Sequence, residues 1–430
     1  MTDALWRLVY IVFVVPAIYA YFLVAALFSR KVREGMAGRR RLFRDLENGL
    51  APYRGKKLVW THASSLGEFE QAKPIIETLK KRDDVAVLAT FFSPSGYRNS
   101  LKYGAVDYVS YLPFDTTFNA RRFSKTVRPD AALIIRYDIW PNHVWRLWKD
   151  GVPLLLAAAT MRRDAARKSA PAKGFHRRLF SKFDRILTVS EEDRENFREF
   201  EEEGVEITAV GDTRYDRVYQ RSAQARERKA LPDRFVEGNR VVVFGSLWRE
   251  DDAVVLTPSL KALERFEDLR LVLVPHEPTE RYVERLEREC AAYGAVRFTD
   301  VEKVADERVV VVDTIGELAS LYQYAAVAFI GGGFRENVHN VLEAAVFGAP
   351  TIYGPKIRRS QEAERLAEEG GGLVVKTRSD MYRALLTLLN DERRREWASE
   401  VSRRFVEERR GAAEKIVKIV ESYLDRDASS

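Results

Sequence analysis

Two kinds of pattern divide the chain. Residues 8–28 form an apolar run without a charged side chain, and beyond residue 57 short β-branched apolar runs alternate with amphipathic stretches. At about 1.5 Å per residue, a helix over the first run is long enough for the ~30 Å hydrocarbon layer of a bilayer. The alternation that follows is that of parallel strands joined by crossover helices: strands covered on both faces read as apolar runs, whereas each helix needs only one apolar face. Strands are expected at 57–61, 85–91, 108–112, 132–135, 153–157, 186–189 and 207–210. After a polar, Arg- and Ala-rich helical stretch at 219–229 that ends in Leu231-Pro232, a second series is expected at 240–244, 269–274, 309–312, 327–330, 350–353 and 373–375. Helices are read between them, for example at 68–81 and 279–293, and a charged helix at 393–424. Two successive doubly wound domains follow, with ligand sites at the carboxyl ends of their strands.

Charge changes this picture at one end. The net charge is +7, which suits nucleic acid, an anionic membrane or anionic substrates. Its position decides among them: Arg30, Lys31, Arg33, Arg39, Arg40, Arg41 and Arg44 directly follow the apolar run. The positive-inside rule then puts the remaining chain in the cytoplasm, with Trp6, Tyr10, Tyr19 and Tyr21 as interfacial aromatics. A retained single-pass anchor, or a helix lying in the interface over anionic lipid, fits better than a cleaved signal, since dense basic charge after the run opposes export. Pro16 adds a kink that a membrane helix tolerates. No aromatic-interleaved basic groove speaks for nucleic acid. The single cysteine, Cys290, excludes an intrachain disulfide and a Cys-based zinc site.

Candidate chemistry sits at strand ends. Thr61-His62-Ala63-Ser64-Ser65-Leu66-Gly67-Glu68 is a small-residue turn running from a strand into a helix, where backbone N–H groups and the positive helix end hold anions. Glu68 would project from the first helical turn, as a base or simply as a complement to the helix dipole. In the second series, Gly331-Gly332-Gly333 ends a strand and Asn337-Val338-His339-Asn340-Val341-Leu342-Glu343 opens the next helix, which reads as a phosphate cradle or as a capped helix start.

His62, Ser65, Gly67 and Glu68 resemble the His-x-x-Ser-x-Gly-Glu motif of the Kdo (3-deoxy-octulosonate) transferases. The resemblance continues, in order, through Ser93-Pro94-Ser95-Gly96, Leu112-Pro113-Phe114-Asp115, Ile139-Trp140-Pro141-Asn142, Gly211-Asp212-Thr213-Arg214-Tyr215-Asp216 and Asp313-Thr314-Ile315-Gly316-Glu317-Leu318 to Asn340 and Glu343. Without it, Ser93-Pro94-Ser95-Gly96 and Leu112-Pro113-Phe114-Asp115 read as turns and Trp140 as core. Two departures stand out. Arg136 and Asp138 occupy the places of two family glutamates, and Pro275-His276-Glu277-Pro278 stands where the family has Pro-Arg-His-Pro, so His276, Lys356, Arg358 or Arg359 would have to supply the missing cation.

The resemblance implies an α/β fold of the GT-B type, with two Rossmann-like doubly wound domains facing a cleft plus an N-terminal membrane helix. The divisions expected are an anchor over 1–30, an acceptor-binding domain over 31–220, a CMP-sugar-binding domain over 221–395 and a helical tail over 396–430. It implies an inverting transferase that moves Kdo from CMP-Kdo to the lipid A precursor (lipid IVA) in lipopolysaccharide synthesis at the inner membrane. Glu68 would be the general base, assisted by Asp138, with Arg214 meeting phosphate charge. Ser246, His276, Glu277, Ile315, Gly316, Glu317, Gly332, Asn340, Val341, Leu342 and Glu343 would hold the donor. No cofactor or metal is expected: CMP-Kdo is a substrate, no strand-end loop carries Asp-x-Asp, and Asp425-Arg426-Asp427 reads as a solvated terminus. The partners implied are CMP-Kdo, the lipid A precursor and anionic inner-membrane lipids, but no nucleic acid. The rivals are another nucleotide-sugar transferase or epimerase on the same fold, and an inactive membrane-tethered binding protein.

Overall fold

A computed structural model describes residues 3–426; the first two residues of the expected anchor and the last four of the expected tail, Asp427 among them, lie outside the described residues. The chain divides into two compact units, one running to Arg217 and resuming at Arg410, the other spanning Val218–Arg409.

The first unit holds a seven-stranded parallel sheet made of β1 (Lys57–Ala63), β2 (Val85–Phe91), β3 (Tyr108–Tyr111), β4 (Ala131–Ile135), β5 (Leu154–Ala159), β6 (Arg185–Thr188) and β7 (Glu206–Ala209). Their order is β3-β2-β1-β4-β5-β6-β7, so the winding reverses between β1 and β4. Side chains alternate across the sheet with period two. Leu58 and Trp60 enter the core on one face; Val59 and Ala63 join Phe69, Ile75, Ile76 and Leu79 of the helix Leu66–Leu79 on the other. Full burial of one such side chain contributes roughly 1.5–3 kcal/mol.

The expected helical tail is divided. Glu392–Glu407 stays with the second unit, the chain breaks at Gly411 in a left-handed conformation (φ 98°), and Ala412–Leu424 returns to the first unit. There Ile416, Val417 and Val420 pack into the same core as Phe69. Asp216 fixes that return by accepting the Gly411 and Ala413 N–H groups at 2.7 and 3.0 Å.

The second unit repeats the plan with β8 (Arg240–Leu247), β9 (Leu269–Pro275), β10 (Ala295–Arg297), β11 (Val309–Val311), β12 (Ala325–Ile330), β13 (Thr351–Tyr353) and β14 (Gly372–Val374). All pair in parallel in the order β10-β11-β9-β8-β12-β13-β14, and the reversal falls between β8 and β12. The short β10, with its half-buried residues, has no apolar run to announce it.

The N-terminal segment is one continuous helix, Asp3–Phe28, long and apolar enough to cross a membrane. It widens into a π-helical turn at Tyr10–Val14, just before Pro16, which has no N–H to offer the preceding turn. Three of its four expected interfacial aromatics face protein instead. Tyr10 donates its hydroxyl to Asp115 at 2.8 Å, Trp6 packs edge-on against Phe175, and Tyr19 meets Phe114. Tyr21, Leu27 and Phe28 stay exposed. One member of the basic cluster is also committed internally. Arg39 lies over Phe92, Tyr111 and Phe114, donates to the carbonyls of Gly35, Phe92 and Leu112, and is held down to about 10 by burial.

Candidate active site

Where a parallel sheet reverses its winding, the loops leaving adjacent strands part and open a crevice. In the first sheet the two loops follow Ala63 and Ile135, and they bring His62, Glu68, Arg136 and Asp138 together. Ser65 caps the helix Leu66–Leu79 by accepting the Glu68 N–H. Glu68 turns its carboxylate back to accept the Ser64 N–H at 2.6 Å and is 8% exposed. The capping reading of Glu68 therefore has a real bond behind it. Its electrostatics exceed what a cap requires: burial pushes the carboxyl above its ordinary value, the Ser64 N–H opposes this, Asp138 adds to it, and His62 and Arg136 oppose it more weakly.

A line of hydrogen bonds supports this carboxylate's neighbour. Trp60 Nε1–H donates to Thr90 Oγ1 (2.8 Å), Thr90 Oγ1 lies 2.9 Å from His62 Nδ1, and His62 Nε2 lies 3.0 Å from Asp138 Oδ2, which also accepts from Trp140 Nε1–H (3.1 Å). Every member is used if His62 carries its hydrogen on Nε2 and accepts from the threonine hydroxyl at Nδ1. Burial alone would raise the Asp138 carboxyl, but its bonds to His62, Trp140 and Ser64 outweigh that and hold it below the usual carboxylate range. Trp140, stacked on Phe92 at 4.6 Å, thus has a polar duty beside its packing one.

Arg136 occupies the left-handed region (φ 66°), and its Nε is enclosed without a hydrogen-bond partner. Arg214 begins the helix Thr213–Arg226 and pairs with Asp212 at 2.7 Å. Other motif residues serve the framework. Asp115 accepts the backbone N–H groups of Asn142 and His143 and a bond from His143 Nδ1, capping the helix Pro141–Lys149.

In the second unit the reversal lies between the ends of β8 and β12. Ser246 is left-handed (φ 54°), and a Cβ on Gly331 would stand 2.2 Å from its carbonyl oxygen. Asp251 ties the loop together by accepting the N–H groups of Trp248, Gly332 and Phe334. The expected helix opening at 337–343 is instead irregular backbone followed by a single turn, Leu342–Ala345. Val341 and Leu342 are fully buried, so they offer backbone alone, and the Leu342 N–H is already given to Asn340 Oδ1 at 3.2 Å. Glu343 pairs with Arg221 at 3.2 Å, and Glu317 with Arg228 at 2.9 Å. Ile315 is 85% exposed, and the adjoining Gly316 (φ 98°) has open space around it. His276 and Glu277 are exposed. Lys356 donates to the carbonyls of Phe334 and Arg335.

Three residues not singled out from the sequence complete this end of the sheet. Trp248 lies between the Arg335 guanidinium, 3.7 Å from its ring centre, and the His276 ring at 4.4 Å; His339 stacks on His276 at 4.5 Å and accepts from Trp248 Nε1–H at 2.8 Å. Burial, then His276, then Arg335 hold His339 down to about 4. Burial lowers His276 as well, and Arg335 adds to this while Glu277 opposes it. The placement of Trp248 two residues after Ser246, and of His339 beside Asn340, was the available signal.

Residues 35–217 match the family described as 3-deoxy-D-manno-octulosonic-acid transferase (kdotransferase). The chain is 27% identical over 383 residues to the 3-deoxy-D-manno-octulosonic acid transferase of Rickettsia felis, covering 86% of this chain and 80% of the relative. It is 28% identical over 383 residues to that of Bordetella pertussis, covering 85% and 87%. In fold it is similar to the UDP-GlcNAc 2-epimerase of Neisseria meningitidis (TM-score 0.59, 14% identity, 85% of this chain and all of that one) and to MurG of Acinetobacter baumannii (TM-score 0.52, 15% identity, 85% and 99%). The two seven-stranded parallel sheets are those expected of the GT-B type.

Proposed function

Since residues 35–217 match the Kdo transferase family and most of the chain is similar to its members, we propose that it moves Kdo from CMP-Kdo to a sugar hydroxyl of the lipid A precursor, with Glu68 as general base and inversion at the anomeric carbon. The single observation that carries the reading is a carboxyl at the reversal point of the first sheet, enclosed and raised above its ordinary value, yet anchored by one backbone N–H. A base with a raised pKa is a stronger proton acceptor while still ionised near neutral pH.

In this reading the acceptor hydroxyl gives its proton to Glu68 as its oxygen forms the new bond to the anomeric carbon. The bond from that carbon to the CMP phosphate breaks on the opposite face, and the electron pair leaves with the phosphate. Asp138, fixed by His62 and Trp140, keeps a negative charge beside Glu68 and so favours proton uptake there. The donor nucleotide is assigned to the ends of β8 and β12, where Ser246 and Gly332 let backbone approach a phosphate and Glu343 takes the ribose hydroxyls. Phosphate charge is met by backbone N–H groups and arginines, and no cofactor is invoked. The exposed apolar side of the helix Asp3–Phe28, with the exposed cations Arg30, Lys31, Arg33, Arg40, Arg41 and Arg44 beyond it, associates with the anionic cytoplasmic face of the inner membrane.

The test is mass spectrometry of lipid IVA incubated with the full-length chain and CMP-Kdo, with UDP-sugars as parallel donors. A mass increase of one or more Kdo residues is expected with CMP-Kdo alone. Turnover of a UDP-sugar in its place would move the chain to another reaction on the same fold.

A further inference from the structure

Arg136 is odd on three counts. It adopts a conformation disfavoured for any residue with a Cβ, its Nε is buried without a partner, and no carboxylate among the described residues forms an ion pair with it. A second arginine shares the last property. Arg167, half-buried, donates to the Tyr137 carbonyl at 3.0 Å and has no ion pair among the described residues. The two guanidinium carbons lie 5.4 and 5.5 Å from the centre of the Tyr137 ring. The nearby carboxylates are engaged elsewhere, Glu68 on the Ser64 N–H and Asp138 on His62 and Trp140.

Two partly desolvated guanidiniums held against one ring, with no direct ion pair among the described residues and reached by the charges of Glu68 and Asp138 only at longer range, are an arrangement completed by a ligand that brings negative charge. Their planar forks match the oxygens of a phosphate or a carboxylate. Backbone strain kept at a strand end beside a candidate base points the same way, since a purely structural arginine gains nothing from it. We propose that Arg136 and Arg167 form a receptor for an anionic group of the acceptor, a phosphomonoester or a sugar carboxylate, and so select which acceptor hydroxyl reaches Glu68. This rests on the transferase reading above. Burial lowers Arg167 from its ordinary value, and Tyr137 and Asp138 oppose this only in part.

The test compares full-length wild type, Arg136→Gly, Arg136→Lys and Arg167→Gln on three acceptors: the tetraacylated disaccharide bisphosphate, its monophosphates, and the same lipid already carrying one Kdo. Arg136→Gly removes the guanidinium while suiting the left-handed backbone, so it should melt no lower than wild type. It should nevertheless raise the acceptor KM by roughly 10- to 100-fold, with kcat little changed and partial rescue in Arg136→Lys. Arg167→Gln should act in the same direction. Loss of the variant's effect on one monophosphate identifies a phosphate as the ligand; an effect confined to the Kdo-bearing lipid identifies the carboxylate. An unchanged acceptor KM on every lipid, or a shift in the KM of CMP-Kdo instead, overturns the proposal while leaving Glu68 as base. Should wild type transfer no Kdo, the transferase reading fails separately, and vesicle binding of the same lipids by wild type and Arg136→Gly still decides the receptor.

Discussion

His62 Nε2 and Asp138 Oδ2 lie 3.0 Å apart, one from the end of the first strand and the other from the loop after the fourth. The pair closes the crevice loop onto the sheet and fixes one negative charge beside Glu68. Its Asp138 carboxyl is held below the ordinary range, so the stability it contributes is present above the ordinary carboxylate pKa and is lost as pH falls through its depressed one. Asp138→Asn should therefore melt lower than wild type at pH 7, with the gap closing below about pH 4. Calorimetry across that range measures it; a gap independent of pH would mean the pair is not held by charge.

Glu68 carries the opposite sign. Its carboxyl is raised, chiefly by burial, so ionisation costs stability that is fully present at low pH and is lost as pH rises through the raised value. Glu68→Gln should hold or raise the melting temperature at pH 7 while cutting Kdo transfer by about 10²–10⁴-fold. A variant that melts normally and retains most of its turnover would remove Glu68 from the base's role.

Transfer should also depend on pH through the same group. As a base, Glu68 works deprotonated, so kcat/KM for the acceptor should fall on acidification with a midpoint above the ordinary glutamate value. In Asp138→Asn that midpoint should move down, because the neighbouring negative charge that helps raise it is gone. A midpoint that stays put would show that the two carboxylates do not sense each other.

The second unit should be acid-sensitive. His339, held down to about 4 where it would ordinarily titrate near 6.5, favours the folded state as a neutral ring. The stability it gives is present above pH 6.5 and is lost between there and about pH 4. Trp248 fluorescence reports the stack directly, and a spectrum that does not change across that interval while the protein stays folded would contradict the assignment.

Two left-handed glycines at the second sheet should respond differently to alanine. At Gly332 a Cβ would stand 2.5 Å from the Asn337 carbonyl oxygen, whereas at Gly316 it meets open space. Gly332→Ala should cost well over the ~1–2 kcal/mol of backbone strain alone and abolish donor binding; Gly316→Ala should cost about that strain and alter mainly the KM of CMP-Kdo. Equal losses at both positions would imply that strain alone, rather than the close approach, matters at Gly332.

How far the sequence carried the structure differs by element. Most strands were legible because they are apolar runs buried on both faces, as at residues 85–91, where every position is buried; the half-buried β10 was not. His62, Glu68 and Asp138 converge because two strand ends meet at the winding reversal, and the sequence marked Glu68 and Asp138 only through the family resemblance. The aromatic and basic residues 6–44 misled in part: period and charge cannot say whether Tyr10 or Arg39 faces lipid or protein, and the partners that decide it, Asp115 and Phe92, lie far along the chain. The Trp248, His276 and His339 stack escaped for the same reason, since it joins the ends of two strands to the loop at 331–340. Asp216 ends a stretch that resembles a family motif, and its partners at Gly411 and Ala413 give it a scaffold role that no local pattern announces.

The helix Ala412–Leu424 returns to a core whose other walls are laid down before residue 217, which makes the second unit an insertion within the first. During synthesis the first unit must therefore wait, with the surface around Phe69 and Ile76 uncovered, until nearly the whole chain has been translated. A nonsense codon soon after residue 409 would leave a finished second unit beside an unfinished first one, and the cell would be expected to clear such a product even though every residue of the Glu68 crevice had been made.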